Sequence, residues 1–348
     1  MKIQLGIIGF GGMGKWHAQN APRAGVEIAA VCDIEELKQK EAAEMGYRLY
    51  PTADELLADP QVNTVILTVP NHLHKEMCIK AAAAGKHVIT EKPAALTVQE
   101  LDEMEAACKA AGVFFTAHQN RRWDRDMLTV KKAFDEGLLG NIFTIESKLH
   151  SGNGYMHEWH LYKKYGGGMI YDWGVHLIDQ ILFMMPEAKI KSVYADIKNV
   201  LHEEVDDYFK IIMKMDNGIT AHLELSTYIL EYQPRWLVGG DKGTMMVKSF
   251  ACDGNIYRTG KLLEKLPPQI TETEAGPTRQ FAPVPPGGIV TEPLPEIKTD
   301  WVDFYRNVDG VLNGREESRI QMTEVRRVLA VMEACRESAR TGQAILFE

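Results

Sequence analysis

The sequence predicts an α/β protein in two parts: an N-terminal Rossmann-type, doubly wound parallel sheet, then an α/β domain built on an open, mostly antiparallel sheet. Three observations predict it. A glycine loop joins the first apolar run to the first helix. Strands alternate with helices up to about residue 117, and beyond about residue 120 the hydrophobic period turns to two. At 348 residues the chain exceeds what one core usually covers. The change of pattern divides it into residues 1–122 and 123–348, with the last helices free to pack back on the first part.

Ile3, Leu5, Ile7 and Ile8 form a short apolar run that ends in Gly9-Phe10-Gly11-Gly12-Met13-Gly14. A helix over 15–24 follows, then a second apolar run over 27–32 that stops at Asp33. Strand, G-x-G-x-x-G loop, helix, strand and acid, in that order, are what a dinucleotide needs. Gly9 allows the tight turn, and Gly11, with Gly12 and Met13 beside it, allows close approach of a pyrophosphate. Gly14 lets the helix pack tightly on the strand. The helix N-terminus offers unpaired N–H groups and partial positive charge to the phosphates. Asp33 is placed to accept hydrogen bonds from the adenosine ribose. A 2′-phosphate would meet Asp33 with Glu35 and Glu36 close by and no compensating arginine, so NAD is expected rather than NADP.

A helix over 35–45 and a short strand over 47–50 come next, then a β-branched run over 62–69 that ends in Pro70-Asn71-His72-Leu73-His74. An alanine-rich helix over 75–84 closes at Gly85. The strand 87–90 runs straight into Glu91-Lys92-Pro93. Thr97 with Glu100 forms a capping box for a helix reaching about residue 111, and 113–117 is the last strand of the series. The second part holds a helix over 127–136, a strand over 142–149, a glycine-, histidine- and aromatic-rich loop over 151–168 and a helix over 173–184. Alternation over 219–229, entered from Asp216-Asn217-Gly218, describes a hairpin back onto 207–215 with one covered and one polar face. Strands are expected over 243–249 and 254–258. Residues 267–295 carry more than half of the chain's proline and read as a long irregular excursion rather than a sheet segment. Helices over 300–313 and 323–340 close the chain.

The formal charge of −9 and the lack of any basic run argue against a nucleic-acid surface. No apolar run is long enough to span a bilayer, and the N-terminus enters its first strand too soon for a signal peptide. Five scattered cysteines read as reduced core thiols. A cytoplasmic protein is expected.

Ligands bind at the carboxyl ends of strands in such sheets, and three groups sit there or at a helix start. In the first, the histidines two apart in 70–74 point in different directions on a helix, so Pro70, Asn71 and His74 are expected on the cofactor rather than on a metal. In the second, Lys92 follows a buried strand and precedes a proline, which holds it as a solvated surface lysine would not be held. In the third, running from Gly166 to Asp179, Asp172 and His176 stand at i and i+4 with Asp179 one turn on. An acid beside a histidine keeps the imidazole basic and fixes its tautomer; an N-cap aspartate with a packed histidine fits the same stretch equally well. His157-Glu158-Trp159-His160 is one residue short of H-E-x-x-H, and no metal is expected. Trp123, Tyr155, Trp159, Tyr162 and Trp301 offer apolar faces for a sugar ring, with core packing the commoner use of each.

Taken together, the glycine loop, Pro70-Asn71-His72-Leu73-His74, Glu91-Lys92-Pro93, the Gly-Gly-Gly…Asp172…Gly174…His176…Asp179 stretch and Ser338-Ala339-Arg340-Thr341-Gly342 resemble the glucose-fructose oxidoreductase/inositol dehydrogenase/rhizopine catabolism (Gfo/Idh/MocA) family over essentially the whole chain. The resemblance implies a dinucleotide-binding domain (1–122), a substrate-binding and oligomerisation domain (123–348) whose open sheet builds homodimers or homotetramers, a nicotinamide cofactor held in part by Glu91 and Lys92, and a sugar, cyclitol or related substrate. It also implies that Lys92 contacts the reacting hydroxyl, Asp172 helps hold the substrate and His176 is the acid/base. Arg122, Trp123, His150, Tyr155, His157, Trp159 and His160 complete the expected substrate set. Their imidazoles and aromatics suit a larger substrate, such as a glycoside oxidised at a ring hydroxyl, for example C3. Two other readings stand beside it: a redox-neutral, NAD-dependent glycosidase working through transient oxidation, and a non-catalytic NAD-binding regulator, which the intact Lys92, Asp172 and His176 oppose.

Overall fold

A computed structural model describes residues 1–261, 270–279, 284 and 286–347. Its first sheet is wholly parallel and has six strands: β1 (Gln4–Ile8), β2 (Glu27–Cys32), β3 (Leu49–Tyr50), β4 (Thr64–Leu67), β5 (His87–Thr90) and β6 (Phe115–Ala117), in the order β3-β2-β1-β4-β5-β6. The order reverses between β1 and β4, which opens a crevice at their carboxyl ends. All four residues of β4 are buried, the mark of a strand covered on both faces.

The first helix, α1 (Gly12–Asn20), starts three residues earlier than expected and gives way to a 3-10 turn over Ala21–Ala24. Pro22, which has no N–H to donate, accounts for the change. After α2 (Glu36–Glu44) comes a helix too short to show a period, α3 (Ala53–Ala58), capped by Thr52. In α4 (His74–Ala83) and α5 (Val98–Ala110) the expected order holds, and Thr97 Oγ1 accepts the Glu100 N–H at 3.1 Å.

The second sheet has nine strands: β7 (Ile142–His150), β8 (Ile190–Lys198), β9 (Tyr208–Met215), β10 (Thr220–Ser226), β11 (Trp236–Gly240), β12 (Gly243–Val247), β13 (Gly254–Thr259), β16 (Ile289–Pro293) and β17 (Ile345–Leu346). They run in the order β16-β13-β12-β11-β7-β10-β9-β8-β17, antiparallel throughout except for β7 beside β10. Val193, Ile211, Met213, Leu223 and Ile145 lie fully buried on one face. Against that face pack α7 (Val175–Met184) and α9 (Met322–Thr341), while α6 (Arg125–Asp135) and α8 (Asp303–Leu312) flank the junction with the first sheet. Burying each such aliphatic side chain is worth roughly 1.5–3 kcal/mol. The other face carries Lys210, Glu224, His222, Glu146 and Lys148.

Part of the proline-rich excursion is sheet after all. β16 pairs with β13 at the sheet edge, and β14 (Ile270–Thr273) with β15 (Gly276–Arg279) makes a separate hairpin. Ile289-Val290-Thr291 is β-branched, and Pro293 is tolerated because an edge strand need not donate on its outer side. Residues 267–269, 280–283 and 285 of that stretch lie outside the described residues. Among the described residues no helix is long and apolar enough to cross a membrane.

Candidate active site

The glycine loop forms an open cradle. Gly9 has φ +97° and donates its N–H to Cys32 O at 2.8 Å, and a Cβ on it would sit 2.7 Å from Thr68 O. A Cβ on Gly14 would meet Gly9 O at 2.2 Å. Among the described residues, a Cβ on Gly11 or Gly12 would meet nothing within 4 Å, and no side chain caps the start of α1. Amides facing unfilled space at a helix N-terminus are a phosphate site, so the residues present fit a dinucleotide. Met13 lies beside them, half-buried. Asp33 is held by its loop: Oδ2 accepts the Phe10 N–H at 2.6 Å and Oδ1 the Glu35 N–H at 2.9 Å. Thr68, which motif reading passes over, pins the loop by donating to Gly9 O at 2.5 Å.

Other residues expected on the cofactor hold the frame instead. Both ring nitrogens of the fully buried His74 are taken, Nδ1 against Pro93 O at 2.9 Å and Nε2 against Val69 O at 3.0 Å. His74 therefore positions the Glu91-Lys92-Pro93 turn. Asn71 follows Pro70, which starts a short 3-10 turn, and reaches across to donate to Gly166 O at 2.8 Å. Glu91 points into the interior, where His17 Nε2 and His118 Nδ1 each approach its Oε1 at 2.8 Å and Tyr305 meets His17 Nδ1 at 2.7 Å. Burial pushes His17 down to about 4, against the pull of Glu91. The same histidines hold Glu91 well below the usual carboxylate range in spite of its burial. These three side chains are of metal-binding type. Their nitrogens stand at hydrogen-bond distance from one shared oxygen, closer than ligands stand round a metal with bonds of about 2.0–2.1 Å. Glu91 Oε2 accepts the Lys92 N–H at 3.1 Å, which ties the network to the site.

Lys92 leaves the end of β5 and donates from Nζ to Asp172 Oδ1 at 2.5 Å and to Asp172 O at 2.9 Å. Asp172 stands on a π-helical turn, Ile170–Gly174, which leads into α7, so Asp172 and His176 are not one α-turn apart. The acid expected to keep His176 basic is committed elsewhere: to Lys92, with His160 Nε2 at 3.7 Å. Burial raises Asp172, and Lys92 overcomes that to hold it below its ordinary value. His176 is buried, its Nδ1 has no partner among the described residues, and burial together with Lys92 and Arg121 pushes it well below the ordinary histidine value. The Lys92 ammonium is thus near enough to His176 to disfavour its protonation. Asp206 caps the turn, accepting the Ile170 N–H at 2.7 Å.

Of the two adjacent arginines, Arg122, expected on the substrate, turns into the interior. Arg122, 3% exposed, gives Nε and Nη2 to Asp179 at 2.9 and 2.6 Å and Nη1 to Glu324 and Arg319 O at 2.7 and 2.9 Å. It is a clamp joining α7 to the start of α9, with four of its five N–H donors committed there. Arg121 instead lies over Trp173 at 4.0 Å, acts on both Asp172 and His176, and lines a cavity of about 540 Å³ with Trp123, Asp124, Phe250, Asp300 and Trp301. Trp123 is itself buried against Phe304. His150 sits on the polar face of β7 with Glu146 and Lys148, away from Asp172 in its contacts. Trp159 and His160 belong to the loop that reaches Asp172, whereas Tyr155 and His157 pair with each other at its exposed side.

Residues 3–119 match the family model for an oxidoreductase family with an NAD-binding Rossmann fold, and residues 127–246 that for a GFO/IDH/MocA C-terminal domain. A crystal structure of an NAD-binding protein from Listeria innocua is 38% identical, with a TM-score of 0.93 over 99% of both chains. The scyllo-inositol 2-dehydrogenase (NADP(+)) IolW of Bacillus subtilis is 28% identical over 99% of this chain and 96% of its own. A 2,7-anhydro-N-acetylneuraminate hydratase of Mediterraneibacter gnavus is 28% identical over 90% of this chain and 88% of its own. A cradle open at Gly11 and Gly12, the Lys92–Asp172 pair at a strand end and two consecutive domain matches lead to one conclusion: the chain is an oxidoreductase of the GFO/IDH/MocA family with an NAD-binding Rossmann domain.

Proposed function

We propose that the protein is an NAD-dependent dehydrogenase that oxidises a secondary ring hydroxyl of a sugar, cyclitol or glycoside. The observation that carries this reading is the Lys92 ammonium, fixed on Asp172 at the end of β5, with His176 four residues on at the start of α7. Bound NAD supplies the hydride acceptor, and Gly11, Gly12 and Asp33 hold it. His176 accepts the hydroxyl proton, Lys92 stabilises the developing alkoxide by charge and hydrogen bonding, and Asp172 orients Lys92. The inositol dehydrogenase among the relatives supports a cyclitol as a substrate class. The division at residues 122/123 and a homo-oligomer built through the polar face of the nine-stranded sheet go with this reading.

The test is anaerobic incubation of the protein with NAD and a panel of inositols, sugars and glycosides, following NADH absorbance and keto products together. NADH with an equal amount of ketone is expected, and Lys92→Met should lower kcat/KM by about 10²–10³. No NADH from any of these alcohols, and no NADH consumption with their ketones, would overturn the reading.

A further inference from the structure

Cys78 and Cys108, 30 residues apart in the chain, meet where α4 packs on α5, with their Sγ atoms 3.6 Å apart. At that distance one S–H donates to the other sulfur. Both side chains are buried, Cys78 at 0% and Cys108 at 2% exposure. Cys108 nevertheless stands in the last turn of α5, beside the exposed Lys109, Ala110 and Ala111, and Gly112 ends that helix with φ +67°. Terminal helical turns open at low free-energy cost, which admits a small solute to the sulfur. The hydrogen bond from Cys78 lowers Cys108 below the ordinary thiol value and, with burial, raises Cys78. The thiolate therefore forms more readily on Cys108, the nucleophile of the pair. The other cysteines are placed differently: Cys252 donates to Thr129 Oγ1 at 3.3 Å, and burial pushes Cys32 up to about 12 and raises Cys335. Both helices border the turn that carries Lys92. His74 opens α4 one turn before Cys78 and holds Pro93 O, and the chain runs on from Pro93 into α5.

We propose that Cys78 and Cys108 are a dithiol site that a peroxide converts to a reversible disulfide, locking α4 onto α5 beside the Glu91-Lys92-Pro93 turn. The Cys108 thiolate attacks one peroxide oxygen and the O–O bond breaks. The leaving hydroxide takes up the proton that Cys108 released and becomes water, and Cys108 is left as a sulfenic acid. The Cys78 sulfur then attacks the Cys108 sulfur, the S–O bond breaks, and hydroxide departs with the Cys78 proton as a second water. Two thiols lose two electrons, and one peroxide gains them. A dithiol reductant returns both thiols by exchange. The closed loop spans 30 residues, so the bond restricts the unfolded chain far more than the folded one, whose sulfurs are already in contact. No step of this chemistry uses the dinucleotide or the alcohol.

The full-length protein, reduced and then freed of reductant, is treated with hydrogen peroxide. Thiol titration, non-reducing peptide mapping and thermal melting are read on the same sample. Loss of two of the five thiols, one linked peptide pair holding Cys78 and Cys108, and a Tm raised by roughly 5–10 °C are expected, all reversed by dithiothreitol. In Cys78→Ala, Cys108 should stop at the sulfenic acid and be trapped by dimedone, with no rise in Tm. The peptide map of the unsubstituted protein decides the matter even where that variant fails to fold. A pair still reduced after the half-buried Cys252 has been oxidised would overturn the proposal. Linkage to any other cysteine, a cross-link between chains, or a Tm that falls on oxidation would overturn it too.

Discussion

Replacing Arg122 by methionine separates a clamp from a substrate contact. The side chain holds Asp179 through two hydrogen bonds at 2.9 and 2.6 Å, and Asp179 is 2% exposed. Methionine fills most of the volume but leaves that carboxylate buried without a counter-charge, which costs about 3–5 kcal/mol. Glu324 is 31% exposed and regains water, so its loss adds little. At about 2–4 °C per kcal/mol for a unit of this size, Tm should fall by on the order of 10 °C. Thermal melts by circular dichroism measure it, with KM for substrate read at a temperature where the variant is folded. Arg122→Met combined with Asp179→Leu should recover most of the loss, because the stranded charge is gone. An unchanged Tm with a tenfold rise in KM would refute the clamp.

Acid should destabilise the fold through His17. Its pKa is lowered from 6.5 to about 4, so the neutral ring stabilises the fold above the unfolded value. That stability is lost as pH falls from about 6.5 to about 4, a change of roughly 3 kcal/mol. Glu91, held low by the same contacts, acts in the same direction, and a Tm flat across this window would contradict the assignment. The second and third glycines of the G-x-G-x-x-G cradle should respond differently. Gly11→Ala should fold normally and lose NAD affinity by calorimetry, because its new Cβ occupies only space meant for phosphate. Gly14→Ala should lower Tm as well, because its Cβ meets Gly9 O. Equal melting of the two variants would count against the cradle.

Sequence alone determined what depends on neighbours along the chain. The glycine loop with Asp33 nineteen residues past Gly14, the strand–helix alternation, the switch to period two and the strand-end placing of Lys92 are all local patterns of hydrogen bonding and side-chain direction, and the structure reproduces them. Partner choice was decided only by tertiary packing. Neighbouring arginines have the same chemistry in sequence, and the 3-10 turn over Asn120–Trp123 is what sends Arg122 inward to Asp179 and Arg121 to Trp173. A π-helical turn over Ile170–Gly174 breaks the α-helical spacing between Asp172 and His176, and a loop folded back through Gly167 and Gly168 brings His160 to Asp172 in its stead. Glu91 turned inward because His17, His118 and Tyr305 meet around it from α1, the end of β6 and α8. A charge or a lone pair is satisfied by whatever lies nearest in space, and that distance is set by the packing of segments far apart in the chain.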